Sequence, residues 1–242
     1  MGDKLMIGLS GLMALRRHVD TLANNVANQT TSGFKAQRTQ FREYLTAAKE
    51  GEAPSYEKRS LVDTSHFTDF STGGLRATGN PLDVAITDDA FFVVDTPAGR
   101  RYTRSGAFTL NDTGKLVTLD GLPVVTSTGQ LVVQPRDGAV NIGSDGTVST
   151  AKGRIAGLRL VTFADRRQLQ PEGSGLFSSV SSPVDVPSGK GRLAIGVLET
   201  ANVNPADEVS RLMAATRAYD VMANAVFKGD PPEELRKLAG DS

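Results

Sequence analysis

An apolar heptad pattern near the N-terminus limits this chain more than any other feature of its sequence. Leu5, Leu12, Val19 and Val26 recur at one heptad position, and Gly8, Leu15 and Leu22 at the position three residues on. That spacing winds a nearly continuous apolar seam along one side of a helix from Leu5 to Val26, and a bare seam requires a partner. The same three-then-four spacing returns near the other terminus in Val209, Leu212, Thr216, Tyr219, Ala223 and Val226. Charge favours bringing the two ends together. Residues 1–42 carry Lys4, Arg16, Arg17, Lys35, Arg38 and Arg42 against Asp3 and Asp20, a net +4, while residues 201–242 sum to −2. Exposed ion pairs contribute only about 0–1 kcal/mol each, so this is a bias rather than a bond. The pattern predicts two terminal helices that pair as a coiled coil. An amphipathic helix at each end, folded separately onto one core, satisfies the same spacing.

The helix boundaries are legible. Asn24, Asn25, Asn28, Thr30, Thr31, Ser32 and Gly33 follow the first seam, and these residues tolerate left-handed backbone or compete for helical hydrogen bonds. Asn204-Pro205 followed by Asp207 and Glu208 predicts the start of the second helix, with Pro in its first turn and acids near the positive end of its dipole. Gly229-Asp230-Pro231-Pro232 must break it.

Between the ends the period changes from seven to two. Leu82, Val84 and Ile86 alternate, Phe91 to Val94 is an apolar run of strand length, and turn signals arrive at short intervals: Pro97-Ala98-Gly99, Asn111 to Gly114, Asp120-Gly121, Thr128-Gly129, Asp137-Gly138 and Asp145-Gly146. Such dipeptides supply the positive φ of tight hairpins. Ile155 to Phe163 and Arg192 to Leu198 read as longer strands, and Gln168 to Gly175 and Ser181 to Gly191 as polar connections. The fold class expected is therefore mainly β with helical ends, an antiparallel β domain inserted between helices that seek each other. The divisions are 1–34 (N-terminal helix), 35–78 (extended arm and loop), 79–199 (β domain), 200–228 (C-terminal helix) and 229–242 (tail). Gly at 25 residues, Pro at 11 and no Trp suit a turn-rich β protein.

Chemistry has little to work with. The chain has no Cys and only His18 and His66, so thiolate zinc sites, disulfides and a Cys nucleophile are excluded and no ordinary structural zinc site can be assembled. His18 reads as a surface residue outside the seam and His66 as a loop histidine. Asp88-Asp89 reads as a charged turn before Phe91, because adjacent strand carboxylates point to opposite faces. No catalytic residues, metal or cofactor are expected. A net charge of zero argues against nucleic-acid binding. The N-terminal apolar run is too short to span a membrane, and Arg16-Arg17-His18 follows it without a small-x-small cleavage site, so the end is read as retained.

Four stretches resemble one family. Ala23-Asn24-Asn25-Val26-Ala27-Asn28-Gln29-Thr30-Thr31-Ser32-Gly33-Phe34-Lys35 is similar to the N-terminal signature of bacterial flagellar rod and hook proteins. Thr78 to Ile86 with Phe91 to Val94, and Arg101 to Phe108, resemble the opening of their β domain. Asn202-Val203-Asn204-Pro205 with Arg217-Ala218-Tyr219 resembles their C-terminal signature. The motif residues are thus Asn24, Asn25, Asn28, Thr31, Gly33, Phe34, Lys35, Asn202, Asn204, Pro205, Arg217 and Tyr219. Length and Gly79-Asn80-Pro81 are most similar to a proximal-rod member, with the distal-rod member or another axial protein as the alternative.

The resemblance implies an axial structural protein, exported without cleavage through the flagellar export apparatus. Members assemble helically into the drive shaft that crosses the periplasm. Implied partners are copies of the chain itself, the proximal-rod proteins FlgB and FlgC and the distal-rod protein FlgG. Asn24, Asn25 and Asn28 lie off the seam, where amides could bond to like helices or simply end the helix. A secreted β-domain adhesin or enzyme is the alternative from another class.

Overall fold

The computed structural model describes residues 2–46, 59–187 and 189–228, so part of the arm and loop expected over 35–78 and the whole tail from Gly229 lie outside the described residues. The chain divides into two compact units. One comprises Met1–Ala27, Gln37–Phe67 and Asn204–Ser242, the other Asn28–Ala36 and Thr68–Val203, so the chain passes from one to the other four times.

The helical unit contains α1 (Gly2–Ala27), β1 (Gln37–Thr46), β2 (Arg59–Thr68) and α2 (Pro205–Lys228), with β1 and β2 paired as a two-stranded ribbon inside the segment expected to be an arm. Asn204 caps α2: its Oδ1 accepts from the backbone N–H groups of Ala206 at 3.2 Å and Asp207 at 3.5 Å. This is the usual way to satisfy the orphan donors of a first turn. The helices lie side by side and antiparallel. Gly8 near the start of α1 abuts Val226 near the end of α2, and Gly11 abuts Met222.

The β unit is a run of short antiparallel strands. They are β3 (Leu75–Ala77), β4 (Val84–Ile86), β5 (Phe91–Thr96), β6 (Gly99–Thr103), β7 (Phe108–Leu110), β8 (Leu116–Thr118), β9 (Val125–Thr126), β10 (Gly129–Gln130), β11 (Asn141–Ile142), β12 (Thr147–Thr150), β13 (Gly153–Gly157), β14 (Leu160–Thr162), β15 (Leu169–Pro171), β16 (Leu176–Ser179), β17 (Val184–Asp185), β18 (Leu193–Ile195) and β19 (Val197–Glu199). The principal sheet has the order β15-β16-β6-β5-β14-β17. Its centre is the β5–β6 hairpin, in register from Phe92 opposite Thr103 to Thr96 opposite Gly99.

Both faces of β5 are covered, and this explains its unbroken apolar sequence. Phe92 and Val94 join a cluster with Phe108, Leu116 and Leu160, while Phe91 and Val93 point to the other face and join Tyr102, Val161, Phe163 and Phe177. Phe92 meets Phe108 edge-on at 4.9 Å between centroids, and Tyr102 meets Phe163 at 4.8 Å. Such pairs add about 0.5–1.5 kcal/mol beyond their buried area.

The expected turns at Gly99, Gly114, Gly121, Gly129, Gly138 and Gly146 all have positive φ. Other expectations are corrected. Val84, Ala85 and Ile86 are all fully buried, so β4 has no solvent face. The strand expected over Ile155–Phe163 is broken: after pairing with β12 it bridges β9 at Leu158 and then joins β5. The strand expected over Arg192–Leu198 turns at Gly196, φ 70°, leaving β18 beside β4 and β19 beside β3. The connections expected at Gln168–Gly175 and Ser181–Gly191 carry the edge strands β15 and β17. Their polar composition reflects solvent exposure at the sheet's margins.

Candidate functional site: a helix pair and a buried charge cluster

In α1, Leu12 and Leu22 are buried and Leu15, Val19 and Val26 half-buried, while only the backbone of Leu5 is described. In α2, Leu212, Tyr219 and Val226 are half-buried on the face that carries Met222 and the buried Glu208 and Ala215. Val209 and Ala223 are half-buried too, whereas Thr216 is exposed and its hydroxyl donates to Leu212 O at 2.8 Å. Gly8 permits the close approach: a Cβ there would stand 2.8 Å from Val226 Cγ2. Apolar side chains remain uncovered on the pair, with Met13 64%, Met213 58% and Phe227 71% exposed.

A second stripe of α1, Ala14, His18, Thr21 and Asn25, is covered as well. Asn25 is fully buried; its amide donates to Gln37 O at 2.8 Å and accepts from Gln37 N at 2.9 Å, imitating a strand partner at the first residue of β1. Asn24 is exposed, and Asn28 Oδ1 accepts from the Thr31 hydroxyl at 3.3 Å. Glu208, placed by sequence in a dipole role, is instead buried and ion-paired with Arg38 of β1. His66 sits in β2, not a loop, with Nδ1 3.2 Å from Thr21 Oγ1.

In the β unit the remaining motif residues gather around one carboxylate. Glu199 Oε1 accepts from Lys35 Nζ at 2.6 Å and from Gly73 N at 3.0 Å, and Oε2 accepts from Arg104 Nε at 3.0 Å. The guanidinium of Arg104 also donates to the carbonyls of Asp88, Ala90 and Ile86, and Lys35 Nζ donates to Ser71 O. All three charged side chains are at least nine-tenths buried. Burial is the main influence holding the Lys35 ammonium below its ordinary pKa, and the bond from Glu199 opposes it.

The neighbouring backbone is locked in the same way. Gly33 N donates to Glu199 O at 2.8 Å; Gly33 has φ 69°, and a Cβ there would fall 2.4 Å from Ser105 N. Asn202 Oδ1 accepts from Ala36 N at 2.7 Å while its Nδ2 donates to Asp69 O at 2.8 Å. Phe34, Ala36, Ala201 and Val203 form a small apolar cluster of their own. Gly33, Phe34, Lys35 and Asn202 thus converge, whereas Arg217 is exposed on α2 and Asn204 and Pro205 serve the helix start. Sequence reasoning missed Glu199. Its acid-among-apolars setting in Val197-Leu198-Glu199 was the available signal.

This arrangement ties chain segments together. A cleft of about 390 Å³ in the β unit is lined by hydroxyls including Thr31, Thr103 and Ser105, with Arg76 and Asp120, and no imidazole reaches it. Among the described residues no group of three or more His, Cys, Asp or Glu is placed to hold a metal, and no helix is long and apolar enough to cross a membrane.

Comparison with known proteins agrees in the same three places. Residues 5–35 match the flagella basal body rod protein model, 85–150 the D1 domain of flagellar hook protein FlgE/F/G, and 195–228 the C-terminal model of flagellar basal body rod FlgEFG proteins. The chain is 37% identical to the flagellar basal-body rod protein FlgF of Caulobacter vibrioides, across 99% of this chain and 97% of that one. It is 34% identical to FlgF of Mesorhizobium japonicum over 91% and 90%, and 33% identical to the rod protein FlgG of Bacillus subtilis over 97% of each. With the terminal signatures and the β domain matched in order along nearly the whole length, the chain belongs to the flagellar basal-body rod protein family of FlgF and FlgG, whose members are structural rod components and not enzymes.

Proposed function

We propose that this chain is an FlgF-type structural subunit of the proximal rod, built into the drive shaft where it crosses the periplasm. The observation that carries the proposal is the antiparallel pairing of the chain's two ends with apolar side chains left over: Met13, Met213 and Phe227 stay more than half exposed after α1 and α2 have met. Covering such a side chain is worth about 1.5–3 kcal/mol, which a neighbouring subunit's helices can supply. In the assembled rod α1 and α2 form a coiled coil within each subunit. The leftover faces then meet further copies, FlgB and FlgC on one side and FlgG on the other. The chain reaches that place through the flagellar export apparatus.

A distal-rod role is the second reading, favoured by the FlgG relatives, which match over nearly their full length. Complementation separates the two: the gene for this chain restores swimming to a host lacking its FlgF and not to one lacking its FlgG. Met213→Asp tests the interface. It leaves the isolated chain folded and abolishes incorporation into basal bodies; normal incorporation of the variant would refute the helix-face proposal.

A further inference from the structure

The two histidines of the chain are distant in sequence and adjacent in the helical unit. His18 lies one turn before Thr21 on α1, and Thr21 Oγ1 is 3.2 Å from His66 Nδ1 on β2. Thr21 already donates its hydroxyl hydrogen to Arg17 O at 2.9 Å. It can therefore only accept from His66, which puts the neutral ring's hydrogen on Nδ1. The His18 ring stands edge-on to Phe41 of β1 at 5.3 Å, and its Nδ1 is buried without a hydrogen-bond partner. α1, both strands of the ribbon and α2 all present groups to this spot.

Burial is the main obstacle to a proton on His18, and the charges around it are divided. From α2 come Arg211 and Glu208, from β2 His66, from β1 Arg38, and from α1 itself Arg17, which donates to Thr64 at 3.3 Å. Glu208 is the one carboxylate among these groups, and Arg38 already occupies its Oε1. A protonated His18 would lose water and face Arg211 and His66, against a single carboxylate whose Oε1 Arg38 already holds.

We propose that His18 is a proton-operated latch: while its ring is neutral, the β1–β2 ribbon and α2 close on α1, and mild acid releases them. The helix pair that serves assembly is then available in its closed form only near neutral pH. Burial, with Arg211 and His66 adding to it and Glu208 opposing, holds His18 below its ordinary pKa. The open form therefore takes the proton first. The latch is fully closed above the ordinary imidazole value of about 6.5 and weakens as pH falls through it. Each unit between the two forms' values is about a tenfold change in the closed-to-open ratio.

The test titrates the full chain from about pH 7.5 to about 5, a range centred on the imidazole. It follows helical far-UV ellipticity near the unfolding midpoint in denaturant, with the β unit read in parallel by segment-resolved hydrogen exchange. In the wild-type chain the helical signal weakens with acid while β5 and β6 stay protected; His18→Gln removes most of the dependence. A flat wild-type titration, or the same dependence in the variant, overturns the proposal. Should His18→Gln fail to fold, the NMR titration of His18 in the wild-type chain decides instead. Titration below the value in an unfolded peptide supports the latch, and titration at or above it overturns the latch.

Discussion

The two units are held together by different means. In the β unit, side chains from Val84 to Leu193 fill one face of the sheet, and a second aromatic cluster fills the other. In the helical unit, the described buried positions mix Leu12, Ala14, Leu22 and Ala215 with Thr21, Asn25, Thr64 and Glu208, and much of the apolar seam is only half covered. One unit rests on close packing; the other rests on a few polar clamps and leaves Met13, Met213 and Phe227 uncovered. The difference teaches that a single chain can carry one closely packed domain and another with apolar surface to spare. It also explains why the longest apolar pattern in the sequence does not lie in the best-packed part of the molecule.

The comparison can be broken most directly from the β side. Phe92→Ala leaves a cavity at the centre of the larger cluster and should cost about 3–5 kcal/mol, seen as a lower denaturant midpoint for exchange protection of β5 and β6. If α1 and α2 lose as much in the same experiment, the units are one cooperative block and the contrast fails. Glu199→Ala strands Lys35 and Arg104 without their carboxylate and should cost a similar or slightly smaller amount, about 3 kcal/mol, in the same readout. On the helical side, Asn25→Ala leaves both backbone groups of Gln37 without their partner, with an expected loss of about 1–3 kcal/mol confined to the α1–β1 segments. The smallest effect is an acid limb. Asp185, held below the ordinary carboxylate range by its bonds from Arg159, stabilises the fold above that range and loses the contribution as pH falls through its lowered value. Because the pair is at the surface, Asp185→Asn should flatten the acid limb of a thermal titration only slightly.

How much could be read in advance follows the same division. Heptad spacing and the Asp-Gly turns are local signals, so both helices and the hairpin turns were legible. The Lys35–Glu199 bond joins residues 164 apart, and no local pattern announces it. The α2 face was half legible. Leu212, Tyr219 and Val226 read as seam from their spacing and are half-buried, but Glu208, Ala215 and Met222 on the same face did not, because a buried glutamate and a small residue do not read as apolar seam. Likewise Asn25 read either as a helix-ending residue or as an amide for like helices, and nothing in the sequence marked Gln37 as its partner. The edge strands β15 and β17 were read as loops because an exposed two- or three-residue strand carries no alternation to detect.

The four passages of the chain between its units have a mechanical side. While each unit stays folded, a single break in the backbone still leaves three covalent passages between them. A twist applied to one is shared among four covalent tethers in parallel, each bearing a fraction of the load, as in a cable laid from several strands. For a rod component, strength of that sort lasts as long as packing holds each unit's own segments together.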